Sequence, residues 1–197
     1  MKNNGMILSQ GYKYILISFL ITLFMEIIDF DILRNISFLL MIISIFIYRN
    51  PTRIIFKNSK SILSPVDATV SAIDVVNGKK KIYCRVTPCN VHVVRASSNT
   101  DIKIKKYQHG LNLNPNSYKA SKLNEQIIFK FDNYKLQLVS GICNPDIEYT
   151  QSPSVLQGET IAIFVDGIAI ITVKENIELD IKIGDSIKAG QSVLFTK

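Results

Sequence analysis

The chain has 197 residues, 47% of them hydrophobic, with 23 Lys or Arg against 16 Asp or Glu and a formal net charge of +7. That length fits one ordinary domain plus a smaller element. Residues 1–60 hold seven basic and three acidic side chains, and residues 61–197 hold sixteen and thirteen, interspersed and without an arginine-rich block, so nucleic acid is not an expected partner.

Three cysteines, Cys84, Cys89 and Cys143, form no C-x-x-C motif, and their odd number argues against a disulfide framework and for a reducing compartment. They read as small buried strand residues. Cys84, Cys89 and His92 lack a fourth ligand at a zinc-type spacing, so no metal site is expected.

In chain order, an apolar run from Tyr14 to Met25 is followed by Glu26, Asp29 and Asp31, then by a second run from Ile36 to Tyr48. Each run alone falls short of the ~20 residues that span a bilayer. Two helices joined by an acidic turn are expected, dipping into the membrane and returning. Lys2 and Lys13 precede them, and Arg49, Arg53, Lys57 and Lys60 follow, which places both ends on the cytoplasmic face of the cell membrane. No small-residue cleavage site marks a signal peptide, and Pro51 closes the second helix by disfavouring helical geometry in the residue before it. Residues 1–60 thus read as a membrane-associated helical hairpin and basic linker, and residues 61–197 as a separate β domain. Such flanking charge attracts anionic lipid.

From Ser64 the pattern changes to short β-branched runs at 69–76, 81–86, 91–95, 102–107, 126–131, 134–139, 160–165, 168–174 and 177–183. Their spacing predicts a mostly β, antiparallel barrel or sandwich. Asn77-Gly78 and Asp132-Asn133 are expected hairpin turns, and 115–123 is a loop or short helix. Gly184-Asp185 and Lys188-Ala189-Gly190 read as sharp turns before a last strand through Val193, Leu194 and Phe195. The tail has the look of lipoyl- and biotinyl-type barrel-sandwich folds, but no modifiable Lys at a hairpin tip supports a carrier.

Two residues stand out chemically. Asp67, in Ser64-Pro65-Val66-Asp67, and His92, in Val91-His92-Val93-Val94-Arg95, are two members of a nucleophile-activating set, in which a carboxylate orients an imidazole that takes a hydroxyl proton. A third, hydroxyl-bearing member is then required.

Arg49-Asn50-Pro51, Ser64-Pro65-Val66-Asp67 and Val91-His92-Val93-Val94-Arg95, in this order, resemble the phosphatidylserine decarboxylase family, particularly its short bacterial and archaeal form. Lys119-Ala120-Ser121-Lys122-Leu123-Asn124-Glu125-Gln126 is similar to the family loop Lys-Ala-Ser-x-x-Asn-Glu-Arg, and Ser140-Gly141 to a later Ala-Gly motif. The resemblance implies a proenzyme in which Asp and His activate a Ser that cleaves the chain after a Gly and becomes a pyruvoyl group. That ketone is the electron sink for decarboxylating phosphatidylserine to phosphatidylethanolamine. By the same likeness Asp67 and His92 are the acid/base residues, and Arg95, Asn124 and Glu125 are substrate-binding candidates. Anionic phospholipid and the membrane are the expected partners, together with self-association or association with an active decarboxylase.

The family's Gly-Glu-Arg-Phe-Gly-x-Ile-x-Phe-Gly-Ser-Arg-Val-Asp lies without a gap over residues 158–171, which places its Gly on Gly167 and its Ser on Ile168. A register that matches Phe164 to the second Phe moves the Ser position to Asp166. Neither register supplies a hydroxyl. Ala169 replaces the following Arg, Pro145-Asp146 replaces a basic pair, and Gln126 replaces the Arg of the loop. Thr172, Ser152 and Ser154 are poor substitutes, since none follows a Gly that permits close backbone approach. The pyruvoyl group is therefore not expected to form, and a non-catalytic, membrane-tethered lipid-binding or partner-regulating relative is the alternative to an enzyme.

Overall fold

The computed structural model describes residues 5–55, 61–144 and 146–196, so Lys2, Lys57, Lys60 and Pro145 lie outside the described residues. The chain divides into two compact units, Lys2–Thr52 and Arg53–Lys197.

In the first unit, α1 (Ser9–Ile27) and α2 (Asp31–Ile47) form an antiparallel pair. Gly11 faces Tyr48 so closely that an added Cβ would lie 2.4 Å from the tyrosine Cβ, and Tyr14 stacks on Tyr48 at 5.5 Å. Midway, the hydroxyls of Thr22 and Ser37 share a 2.8 Å hydrogen bond. At the turn, Arg34 gathers the acids, reaching Glu26 at 2.8 Å and Asp31 at 2.6 Å. Leu16, Phe24, Leu39 and Phe46 are each about half exposed, so the apolar surface is not confined to a stripe facing the partner helix. Among the described residues no helix is long and apolar enough to cross a membrane.

The second unit is mostly antiparallel β-structure. Its strands are β1 (Ser61–Leu63), β2 (Ala68–Val76), β3 (Lys79–Val86), β4 (Val93–Arg95), β5 (Thr100–Asp101), β6 (Lys103–Gln108), β7 (Gln126–Lys130), β8 (Lys135–Ser140), β9 (Glu148–Tyr149), β10 (Ser154–Val155), β11 (Thr160–Ile163), β12 (Gly167–Lys174), β13 (Ser186–Ile187) and β14 (Val193–Thr196), with a short helix α3 (Ala120–Leu123) before β7. Seven strands make one sheet in the order β13-β2-β3-β12-β8-β7-β6, and β4-β11-β9, β1-β14 and β10-β5 form smaller ones. No sheet among the described residues closes into a barrel; the arrangement is sandwich-like.

Alternation builds the core. Ile82 and Cys84 of β3, Ala169 and Ile171 of β12, Leu136 and Leu138 of β8 and Ile127 and Phe129 of β7 are buried on one face of the large sheet. They join Ile161, Phe164, Leu194 and Phe195 in a single cluster, each large side chain contributing about 1.5–3 kcal/mol of transfer free energy. The opposite face carries the half-exposed Lys81, Tyr83, Arg85, Ile168, Ile170 and Thr172.

Asn77 and Gly78 turn β2 into β3 with φ of 52° and 68°, the positive values a two-residue hairpin turn requires. Asp132-Asn133 closes the β7–β8 hairpin, where the Phe131 N–H donates to the Tyr134 carbonyl. The stretch 177–183 is not a strand. Its period-two pattern does bury Ile181, but its main chain builds no ladder, the Asp180 N–H alone reaching β14 at the Leu194 carbonyl among the described bonds. Cys84 is buried as expected, whereas Cys89 and Cys143 are exposed in the segments after β3 and β8.

Candidate functional site

Ser64 starts the turn that presents Asp67, its hydroxyl donating to the Val66 carbonyl at 2.7 Å. Asp67 is 8% exposed and immediately precedes β2. Its carboxylate accepts two parallel bonds from Arg53, at 2.5 and 2.6 Å, and a third from the Ala189 N–H at 2.7 Å. Arg53 also donates to the Ala189 carbonyl at 3.0 Å. This forked geometry is the strong form of a carboxylate–guanidinium contact. Arg95 lies within the same electrostatic cluster; burial lowers its pKa most, nearby Arg53 lowers it further, and Asp67 opposes them. Its guanidinium donates to the Gly158 carbonyl at 3.0 Å.

His92 is 1% exposed. A turn holds the chain ahead of it, in which Asn90 Oδ1 accepts from both the N–H and the hydroxyl of Thr87 at 2.8 Å. The His92 carbonyl accepts from the Phe164 N–H at 2.9 Å, which brings the segment leading into β4 beside the segment leading into β12.

Gly167 and Ile168 begin β12, a strand paired on both sides. Gly167 lies opposite Val86 and Ser140, and Ile168 opposite Arg85 and Val139. Gly167 has φ of 141°, and a Cβ there would come within 2.1 Å of the Val139 carbonyl oxygen and 2.7 Å of the Phe164 ring. Around this junction, Asn144 Oδ1 accepts from the Val165 N–H at 2.8 Å, the Asp166 carbonyl accepts from the Gly141 N–H at 2.8 Å, and Arg85 approaches Asp166 at 3.7 Å.

Asn124 and Glu125 reach the same junction from the other flank. The Asn124 side chain donates to the Leu113 and Ser140 carbonyls at 2.8 and 2.6 Å and accepts from the Leu113 N–H at 3.0 Å. Glu125 accepts from the Ile147 N–H and, at 2.9 Å, from the Tyr107 hydroxyl. Burial and this hydrogen bond to Glu125 push the Tyr107 phenol up to about 12. Asn124 thus ties the Leu113 loop to the end of β8, and Glu125 ties the segment after β8 to Tyr107 of β6.

The structure thus gathers Asn124, Glu125, Ser140, Gly141, Asp166, Gly167 and Ile168 about the start of β12, and Asp67, Arg95, Arg53 and Ala189 about the start of β2. Two strand spacings and two residues of rise separate Asp67 from Ile168, about 12 Å between Cα atoms. Sequence reasoning counted Arg53 only as a flanking charge, and gave no site role to Arg85, Asn144 or Ala189.

A pyruvoyl group is made from a serine, by attack of its hydroxyl on the preceding carbonyl. At the junction Ile168 offers only a hydrocarbon side chain, on the opposite sheet face from the core, so the residue present does not fit that group.

The antiparallel β unit thus presents a buried acid ahead of β2 and a buried imidazole ahead of β4. The phosphatidylserine decarboxylase family profile covers residues 42–195, and this chain belongs to that family. It is 28% identical to the phosphatidylserine decarboxylase proenzyme of Pelagibacter ubique, over 96% of this chain and 95% of that protein. The proenzyme of Carboxydothermus hydrogenoformans is 26% identical, over 98% of each chain, and that of Wolbachia pipientis wMel is 26% identical, over 94% of this chain and 88% of its own.

Proposed function

We propose that this protein is a membrane-surface member of aminophospholipid metabolism that keeps its chain intact and acts by binding anionic phospholipid or a catalytic partner. The observation that carries this reading is Ile168 at the start of β12, where the family chemistry needs a hydroxyl. Two further features support it: β12 is paired with a strand on each side from Gly167 to Thr172, and both oxygens of Asp67 are engaged by Arg53 and Ala189.

Association with a membrane is supported by the exposed apolar surface of α1 and α2, and the cytoplasmic face is favoured by the basic residues that flank them in the sequence. Such a hairpin suits embedding in one leaflet, with flanking basic residues other than the buried Arg53 drawn to anionic headgroups.

Family membership favours a second reading, in which the chain decarboxylates phosphatidylserine as its relatives' name states. Intact-mass analysis of the purified protein separates the two. A single species of 22.2 kDa that releases no carbon dioxide from phosphatidylserine is the expected result. Two fragments, the smaller with a blocked N-terminus, would overturn the non-catalytic reading.

A further inference from the structure

The far end of the seven-stranded sheet carries a concentration of lysines that the site at Ile168 does not use. Lys79 lies opposite Lys174, Lys135 opposite both Thr172 and Lys130, and Lys130 opposite Lys103. With Lys105 these residues line one cleft of about 680 Å³, in which Asp132 is the single acid. Lys174 is six residues along β12 from Ile168, about 20 Å at strand rise, so the cleft is separate from the candidate site.

Like charges placed opposite one another destabilise a sheet, so the arrangement costs folding free energy unless an external anion offsets it. Lys135 shows the strain: its pKa is lowered by burial first, then by Lys105, Lys81 and Lys79. None of the ion pairs among the described residues involves a lysine of this cleft, and Asp132 already accepts a 3.0 Å bond from the Thr100 hydroxyl. Protection of a sheet edge against pairing with other chains accounts for lysines on the edge strand β6. It does not account for Lys79, Lys130, Lys135 and Lys174, which lie on inner strands.

The chemistry of the lining selects the occupant. Six lysines on long flexible stems, with no arginine among the lining residues, are point charges free to follow a mobile array of phosphates, whereas a fixed carboxylate or phosphate is better held by a guanidinium fork. We propose that this lysine-lined cleft docks the β unit onto an anionic phospholipid surface, with headgroup phosphates entering between Lys103, Lys130, Lys135 and Lys174. The docking is independent of whether the chain cleaves itself, and vesicle binding reads it without reference to processing.

The test uses the full chain and vesicles of phosphatidylcholine alone or with about 30 mol% phosphatidylglycerol, floated at about 50 and about 500 mM salt. The wild-type chain is expected to prefer the anionic vesicles by about tenfold or more at low salt and to lose most of that preference at high salt. Lys103→Glu/Lys130→Glu/Lys174→Glu should cut the preference by several-fold, the remainder being due to the basic residues around the hairpin, and leave binding to neutral vesicles unchanged, while the same three changed to Arg should retain it in full. A wild-type preference kept by the charge-reversed chain would overturn the proposal. Lysine acetylation footprinting of the unmodified chain gives a variant-free reading. Lys103, Lys130 and Lys174 should be protected by anionic but not neutral vesicles, and equal labelling with both would overturn the proposal equally.

Discussion

Arg53 holds Asp67 through two parallel hydrogen bonds of 2.5 and 2.6 Å between residues fourteen apart in the chain, in a contact that leaves each side chain about one-tenth exposed. The aspartate that the family resemblance singles out also anchors the segment entering the β unit. Removing one partner of a buried ion pair strands the other charge, which costs about 3–5 kcal/mol. Arg53→Ala should lower the urea midpoint of the β unit accordingly. Arg53→Lys should recover only part of the loss, because an ammonium cannot form the fork.

Restoring the hydroxyl should not restore processing. In Ile168→Ser the new side chain would stand on a strand paired on both sides, opposite Arg85 and Val139, while the Asp67 carboxylate stays engaged by Arg53 and the Ala189 N–H. The expected outcome is a single full-length chain by intact mass after prolonged incubation. Fragments with a new N-terminus at residue 168 would show that only the nucleophile had been lost.

The three thiols should separate by reactivity. Burial pushes Cys84 up to about 12, whereas Cys89 and Cys143 are exposed. Because the thiolate is the reacting form, a chromogenic disulfide reagent at mild alkaline pH should titrate two cysteines in the native protein. The third should appear only on unfolding.

Lys135 gives a pH signature. Its folded-state pKa lies below the ordinary 10.5, depressed by burial and by its lysine neighbours, so between those two values the unfolded chain binds more protons than the folded one. Stability attributable to this group therefore rises with pH through that window, and the penalty is fully present below it. Comparing urea midpoints of wild type and Lys135→Gln across that range should show a difference that shrinks as pH rises. A constant difference would contradict the assignment.

Much of the fold was legible because period-two alternation and turn chemistry are local. Ile82, Cys84 and Val86 of β3 and Ala169, Ile171 and Val173 of β12 were readable as one buried face, and Asn77-Gly78 as a hairpin turn. The same rule misread 177–183, since alternation reports burial and says nothing of whether a partner strand lies alongside. In the candidate site, Gly167 and Ile168 were identifiable by motif register, and Asp67 and His92 by residue type. The engagement of Asp67 was not legible: its partners Arg53 and Ala189 lie fourteen and 122 residues away, and only the tertiary fold joins them. The internal contacts of Asn124 with Leu113 and Ser140, and of Glu125 with Ile147 and Tyr107, were equally out of reach, because each joins segments that only the fold brings together.

Gly167 should tolerate no side chain. Gly167→Ala would press a methyl group toward the Val139 carbonyl at 2.1 Å, and overpacking against main chain costs about 1–3 kcal/mol or more. A thermal melt should show the loss whatever residue occupies 168.

That requirement separates two kinds of information that sit side by side in the chain. The glycine is demanded by the width of the gap between β12 and β8, so it would persist in a protein that had abandoned self-cleavage as readily as in one that depended on it. Only the next position reports on chemistry. Sorting relatives of this chain into processed and unprocessed forms thus calls for a single-residue criterion at 168, and a glycine-anchored signature would group the two together.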